Sequence, residues 1–157
     1  MAVDKAVVIV YCLLVSCNTF AVGTIIKVGN CTDEGDVVGK LISVDVNPCP
    51  SEPCIFHKGV NVTATIKFIP GEMVTDGTLA VYGIIEGIKT PFPLDQPDIC
   101  EDHGLECPLK PGVIYALEIN LPIKSEYPSL QLDAEMELKL PDGTVVFCFE
   151  FPMEIID

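Results

Sequence analysis

Apolar and polar positions alternate without a break from Leu130 to Leu140. Leu130, Leu132, Ala134, Met136, Leu138 and Leu140 form one row, and Gln131, Asp133, Glu135, Glu137 and Lys139 form the other. A period of two belongs to a strand with one buried face, because successive side chains leave opposite sides of a sheet. Pro141-Asp142-Gly143 then signals a tight turn that sends the chain back. The pattern recurs in Ile42, Val44 and Val46, and again in Val60, Val62, Ala64, Ile66 and Phe68. An apolar run from Leu79 to Ile85 follows Asp76-Gly77, and Val113, Tyr115, Leu117, Ile119 and Leu121 follow Pro111-Gly112. Val145, Phe147, Phe149, Phe151, Met153 and Ile155 make the last row, with Glu150, Pro152 and Glu154 between them. No segment sustains a helical period, and β-branched residues dominate the runs. Short strands separated by Pro, Gly and Asp clusters predict an all-β fold, an immunoglobulin-like two-sheet antiparallel β-sandwich. Pro91-Phe92-Pro93-Leu94-Asp95-Gln96-Pro97-Asp98 is too proline-rich for a central strand and is expected as an extended loop leading to Cys100.

The N-terminus does not fit the sandwich. Val7 to Val15 is a short apolar run behind Lys5, followed by small and polar residues up to Ala21 and Gly23. This reads as a secretory signal peptide over residues 1–21, with cleavage extending to 23 as the alternative; the run is too short to span a bilayer. One domain, residues 24–157, is expected as a secreted, soluble protein. Of the 8 cysteines, removal of Cys12 and Cys17 leaves six, an even number in an oxidising compartment. Cys49 with Cys54 and Cys100 with Cys107 are natural short-loop closures, which leaves Cys31 for Cys148. A metal site is disfavoured: there is no C-x-x-C pair, and His57 and His103 are the only histidines.

The 9 cationic residues, all lysine, face 23 acids, and the net charge of −14 survives loss of the leader, which removes one of each. Such a surface repels phosphate backbones, so no nucleic-acid partner is expected. Asn30-Cys31-Thr32 and Asn61-Val62-Thr63 are glycosylation sequons. Asn61 is the favoured acceptor because it falls in a polar row, whereas Asn30 adjoins a cysteine expected to be bridged.

Several strings, in order, carry a family resemblance. They are Asn47-Pro48-Cys49-Pro50 with Pro53-Cys54, Lys58-Gly59, Pro91-Phe92-Pro93 with Pro97-Asp98 and Cys100, Leu121-Pro122-Ile123-Lys124-Ser125-Glu126-Tyr127-Pro128-Ser129, and Phe147-Cys148-Phe149-Glu150. Together they resemble the ML lipid-recognition domain family across the mature chain, from Cys31 to Ile155. The resemblance implies a sandwich with a hydrophobic tunnel between its sheets, loaded with a sterol or another single lipid. It also implies the disulfides Cys31–Cys148, Cys49–Cys54 and Cys100–Cys107. Its lipid site maps onto Phe92, Leu121, Pro122, Ile123 and Tyr127, with deeper lining from Val62, Ala64, Ala134, Met136 and Phe149. Relatives often carry tryptophan where Met136 and Phe149 stand, so a roomier site is expected here.

Three functions compete. The leading expectation is a lipid carrier that binds a cholesterol-like sterol and hands it to a membrane, or to a membrane sterol transporter, in the extracellular space or in the lumen of endosomes and lysosomes. A carrier of fatty acids or hydrophobic signals is the alternative within that class. A filled sandwich that recognises another protein is the alternative from a different class. Catalysis is not expected: Ser125 and Glu126 have no nucleophile elbow and no histidine placed as a base. No cofactor and no metal are expected beyond the bound lipid.

Overall fold

A computed structural model describes residues 23–31 and 35–157. The leader expected at residues 1–21 lies outside the described residues. Among the described residues nine strands follow one another: β1 (Thr24–Ile26), β2 (Gly39–Asn47), β3 (Cys54–His57), β4 (Asn61–Pro70), β5 (Thr78–Ile85), β6 (Ile88–Phe92), β7 (Tyr115–Pro122), β8 (Leu130–Lys139) and β9 (Val145–Ile156). They form two sheets, ordered β1-β2-β4-β7 and β3-β9-β8-β5-β6. All pairs are antiparallel except β3 with β9, which run parallel.

The six long strands are the five alternating segments and the apolar run from Leu79 to Ile85. The other three are too short to declare a period: β1 has 3 residues, β3 has 4 and β6 has 5. β6 also corrects the expected loop, since Pro91 and Phe92 end a strand paired with Tyr82 and Val81. Proline is tolerated there because β6 is the sheet edge, where one row of backbone groups has no partner strand. The β5–β6 turn is Glu86-Gly87, and both residues have positive φ, 51° and 80°. A two-residue hairpin turn demands that geometry, which glycine adopts without steric cost.

Large and small side chains divide the interior into two halves. Toward one end Phe68 meets Phe147 edge-on at 5.1 Å, and Phe147, Phe149 and Phe151 stack along β9 at 6.0 and 6.4 Å. Toward the other, Gly83 of β5 pairs with Ala134 of β8, and Ala64 of β4 lines the same space from the opposite sheet. Aromatic rings fill the first half, and small residues leave the second open.

Among the described residues three disulfides join Cys31–Cys148, Cys49–Cys54 and Cys100–Cys107, with sequence separations of 117, 5 and 7. The first lies on the outer face of the five-stranded sheet, where Gly29 and Glu150 exchange backbone hydrogen bonds of 2.7 and 3.0 Å. The polar row of β8 therefore departs from its expected solvent exposure. Glu135 and Glu137 are buried, at 2% and 0% relative exposure. The Glu135 carboxylate lies within 4.8 Å of the Cys31 and Cys148 sulfurs, and Lys89 and Lys139 close in from the sides.

Candidate functional site

The open half of the interior is a narrow slot of about 60 Å³ between the sheets. Val44, Val46, Val62 and Ala64 form one wall; Val81, Gly83, Ala134, Met136, Phe151 and Met153 form the other. A Cβ at Gly83 would sit 2.8 Å from Leu132 Cδ1, the tip of a flexible side chain that would have to shift. Among the lining residues only Tyr82 carries a polar side chain. That side chain serves the outer face: its ring lies 4.3 Å beneath Lys89 Nζ. An empty slot of this kind stays dry, as apolar cavities do.

Phe92, Leu121 and Ile123 bound one end of the slot, and Phe56, Leu132 and Ile155 also line it. Two backbone bonds fix Ile123: Gly59 N–H donates to its carbonyl at 2.6 Å, and its own N–H donates to Val60 O at 2.9 Å. The Phe92 and Tyr127 rings meet edge to face, with centroids 4.7 Å apart and planes at 60°. The loop after β6 is pinned by His103, which is buried with its ring nitrogens 2.7 Å from Glu118 O and 2.9 Å from Gln96 O. That anchor holds the Phe92–Leu94 segment close to β7.

Seven of the ten residues expected at the lipid site come together on this slot: Phe92, Leu121, Ile123, Val62, Ala64, Ala134 and Met136. Pro122, Tyr127 and Phe149 stand outside its lining. Pro122 follows Leu121 in the strand and so turns to the opposite face. Tyr127 backs Phe92 from outside, in a small crevice that also touches Pro122 and Lys124. Phe149 is fully buried one inward position along β9 from Phe151, which supplies the wall in its place. The sequence reading did not assign the other ten lining residues to the site, Gly83 and Met153 among them. Gly83 had a signal, since it interrupts an apolar run as a residue without a side chain.

Behind the slot lies an ionic cluster. Lys89 Nζ is 2.6 Å from Glu135 and 3.1 Å from Glu137, and Lys139 is 2.7 Å from Glu137. Burial favours the neutral form of Glu137, but hydrogen bonds from Lys139 and Lys89 and their charges outweigh it and leave the carboxyl below its ordinary value. Burial likewise acts against the Lys89 ammonium, and its bonds to Glu135 and Glu137 outweigh that and raise it. Glu135 and the two cysteine sulfurs offer no metal cage, because the sulfurs are bonded to each other.

Comparison with known proteins gives this architecture its relatives. The ML domain family matches residues 26–155. The chain is 40% identical over 123 residues to the mouse protein named NPC intracellular cholesterol transporter 2, covering 78% of this chain and 82% of that one. It is 36% identical over 126 residues to the ecdysteroid-regulated 16 kDa protein of Manduca sexta, covering 79% and 86%. Among solved structures, a Niemann-Pick type C2 protein from the Japanese carpenter ant superposes with a TM-score of 0.77 at 26% identity, over 83% of this chain and all of that one. Sandwich, cysteine frame and sequence agree, and the chain belongs to the ML domain family.

Proposed function

We propose that this protein is a non-enzymatic lipid carrier that takes one sterol into the slot between its sheets and releases it to a membrane or a membrane sterol transporter. The observation that carries the reading is the slot itself, apolar on both walls and bounded at one end by Phe92, Leu121 and Ile123. The cholesterol transporters among its relatives support it. Residues 1–21 act as the leader, and the domain from residue 24 works in the extracellular space or an endosomal and lysosomal lumen.

The driving force is removal of lipid surface from water, on the order of 25 cal/mol per Å². The walls have no partner for a buried hydroxyl or carboxylate, so the polar end of the lipid stays at the mouth, where its hydration costs nothing to keep. A slot of about 60 Å³ is far below the roughly 300–1,000 Å³ of a typical ligand pocket, so loading spreads the walls. Met136 and Met153 can yield because their side chains are unbranched and flexible, and the Phe92–Tyr127 contact lies where the cargo must pass.

A competition titration tests the reading. A fluorescent sterol is bound to the purified protein and displaced with cholesterol or with a long-chain fatty acid. Saturable binding of one sterol, displaced by cholesterol at lower concentration than by fatty acid, is expected. Preferential displacement by fatty acid transfers the site to the alternative cargo. Failure of both lipids to bind leaves the protein-recognition sandwich.

A further inference from the structure

His103 makes contacts that no neutral tautomer satisfies. It sits in the loop closed by the Cys100–Cys107 bridge, only 7% exposed, with Nδ1 2.7 Å from Glu118 O and Nε2 2.9 Å from Gln96 O. Both partners are backbone carbonyls, which only accept hydrogen bonds. A neutral imidazole has one N–H and one bare nitrogen, so in either tautomer a lone pair faces a carbonyl oxygen. The imidazolium has two N–H groups and fills both contacts. The charged residues lining the groove beside the ring are Asp95 and Asp102 on the loop and Glu118 on β7, while β4 adds the uncharged Asn61, Thr63 and Thr65. Glu101 accepts from Gln96 Nε2 at 2.9 Å.

We infer that His103 is a positioning residue for the cargo mouth: its protonated ring clamps the Phe92–Gln96 segment to β7, and its neutral ring lets that segment loosen. The two bonds differ in consequence. The bond to Glu118 O is the shorter, and Glu118 N–H braces it by donating to the His103 carbonyl at 3.0 Å. The single proton of the neutral ring therefore stays on Nδ1, and Nε2 turns its lone pair toward Gln96 O. That second contact is where the loop is held. Gln96 lies four residues beyond Phe92, the last residue of β6, and the chain is fixed again at Pro97, whose carbonyl accepts from Leu79 N–H at 2.8 Å. Between these points Leu94 shares a crevice with Phe92, Leu121 and Tyr127. Loss of the Gln96 tether frees Leu94 and lets Phe92 swing away from Tyr127, the contact that the cargo must pass. Histidine ordinarily changes charge between about pH 5 and 8, so the mouth is held in an acidic compartment and eased at neutral pH. One net hydrogen bond alters such an equilibrium roughly two- to tenfold.

The inference rests on the carrier reading. The purified protein is loaded with a fluorescent sterol, and release to excess methylated cyclodextrin is followed by stopped flow at about pH 5 and pH 8, the two ends of the histidine range. This acceptor is uncharged, so the surface charge that governs docking on anionic membranes does not enter. Release is expected to be about threefold faster or more at the higher pH. His103→Gln releases at the fast rate at both, and His57→Gln keeps the wild-type step. Nitrogen-15 labelling of histidine reads the wild-type ring directly, independent of any variant: two protonated ring nitrogens at the lower pH, and one, Nδ1, at the higher. Equal release at the two pH values, a step that survives His103→Gln, or a His103 ring that keeps one protonation state throughout overturns the clamp alone. Protein that takes up no sterol overturns the carrier reading and the clamp with it.

Discussion

Replacing Lys89 with methionine keeps the aliphatic stem and removes the charge that two buried carboxylates share. In the wild type, Lys89 Nζ lies 2.6 Å from Glu135 and 3.1 Å from Glu137, whose side chains are almost wholly removed from water. After the change those like charges face each other on one strand, with Lys139 still beside Glu137. Breaking a buried pair by deleting one partner costs about 3–5 kcal/mol, because the survivor keeps its desolvation and loses its compensation. Lys89 retains 27% side-chain exposure, so water softens the loss and the lower end, about 3 kcal/mol, is expected. For a domain of this size that lowers Tm by roughly 10 °C.

The pH dependence follows from the directions of the two shifts. Glu137 titrates below its ordinary 4.5 in the fold, so its contribution is present above that value and is lost as pH falls through the folded value. Lys89 titrates above its ordinary 10.5, so its contribution is present below that value and is lost only as pH rises through the folded one. The cluster therefore holds undiminished from about pH 5 to pH 10 in the wild type. In Lys89→Met the Glu137 carboxylate loses a cation that held it charged and gains a proton more easily, so the deficit shrinks toward pH 4. Thermal unfolding followed by circular dichroism at pH 7 and pH 4 provides the measurement, with Lys89→Met/Glu135→Gln recovering part of the loss at pH 7. A deficit below about 0.5 kcal/mol, the range of an ordinary surface change, or one that does not vary with pH, would refute the argument.

Four further outcomes are expected. Phe92→Ala weakens sterol affinity about tenfold by removing one wall of the slot, whereas Tyr127→Ala chiefly speeds release; stopped-flow binding separates the two, and unchanged behaviour in both removes the mouth from the site. Ala134→Leu fills the slot, weakening sterol binding at least about tenfold while changing stability by no more than about 1–3 kcal/mol, as titration and denaturation will show. Replacing Cys31 and Cys148 together with serine releases a 117-residue separation and costs roughly 4–5 kcal/mol in guanidinium unfolding, less any strain the bridge imposes. Sterol transfer to anionic liposomes accelerates as pH falls from 7 toward 5, because a surface of net charge −14 sheds part of its repulsion; a flat profile would mean that surface charge does not govern docking.

Much of this was legible in the chain because alternation reports which face of a strand is dry. It placed Val62 with Ala64, and Ala134 with Met136, on the inward rows of their own strands; only the family resemblance brought the two rows to one lipid site. Alternation does not report what covers the other face. Glu135 and Glu137 read as solvated, and they are buried because the Cys31–Cys148 bridge and Lys89 arrive from distant parts of the sequence. Nor does it locate the boundary between filled core and cavity along one strand. Phe149 and Phe151 occupy the same inward row, and only the neighbouring layers decide that Phe151 meets the slot while Phe149 packs behind it. β3 was hidden for another reason: its four residues are held by parallel pairing to the far end of the chain, which leaves no local signature.

The central claim is that the space between the sheets is a container for one lipid. Native mass spectrometry of the secreted protein, with organic extraction of the same sample, tests it without assuming a cargo. The account predicts a stoichiometric lipid, dominated by sterol, that Ala134→Leu excludes. Protein that is empty as isolated, and stays empty after incubation with cholesterol or fatty acid, would contradict it.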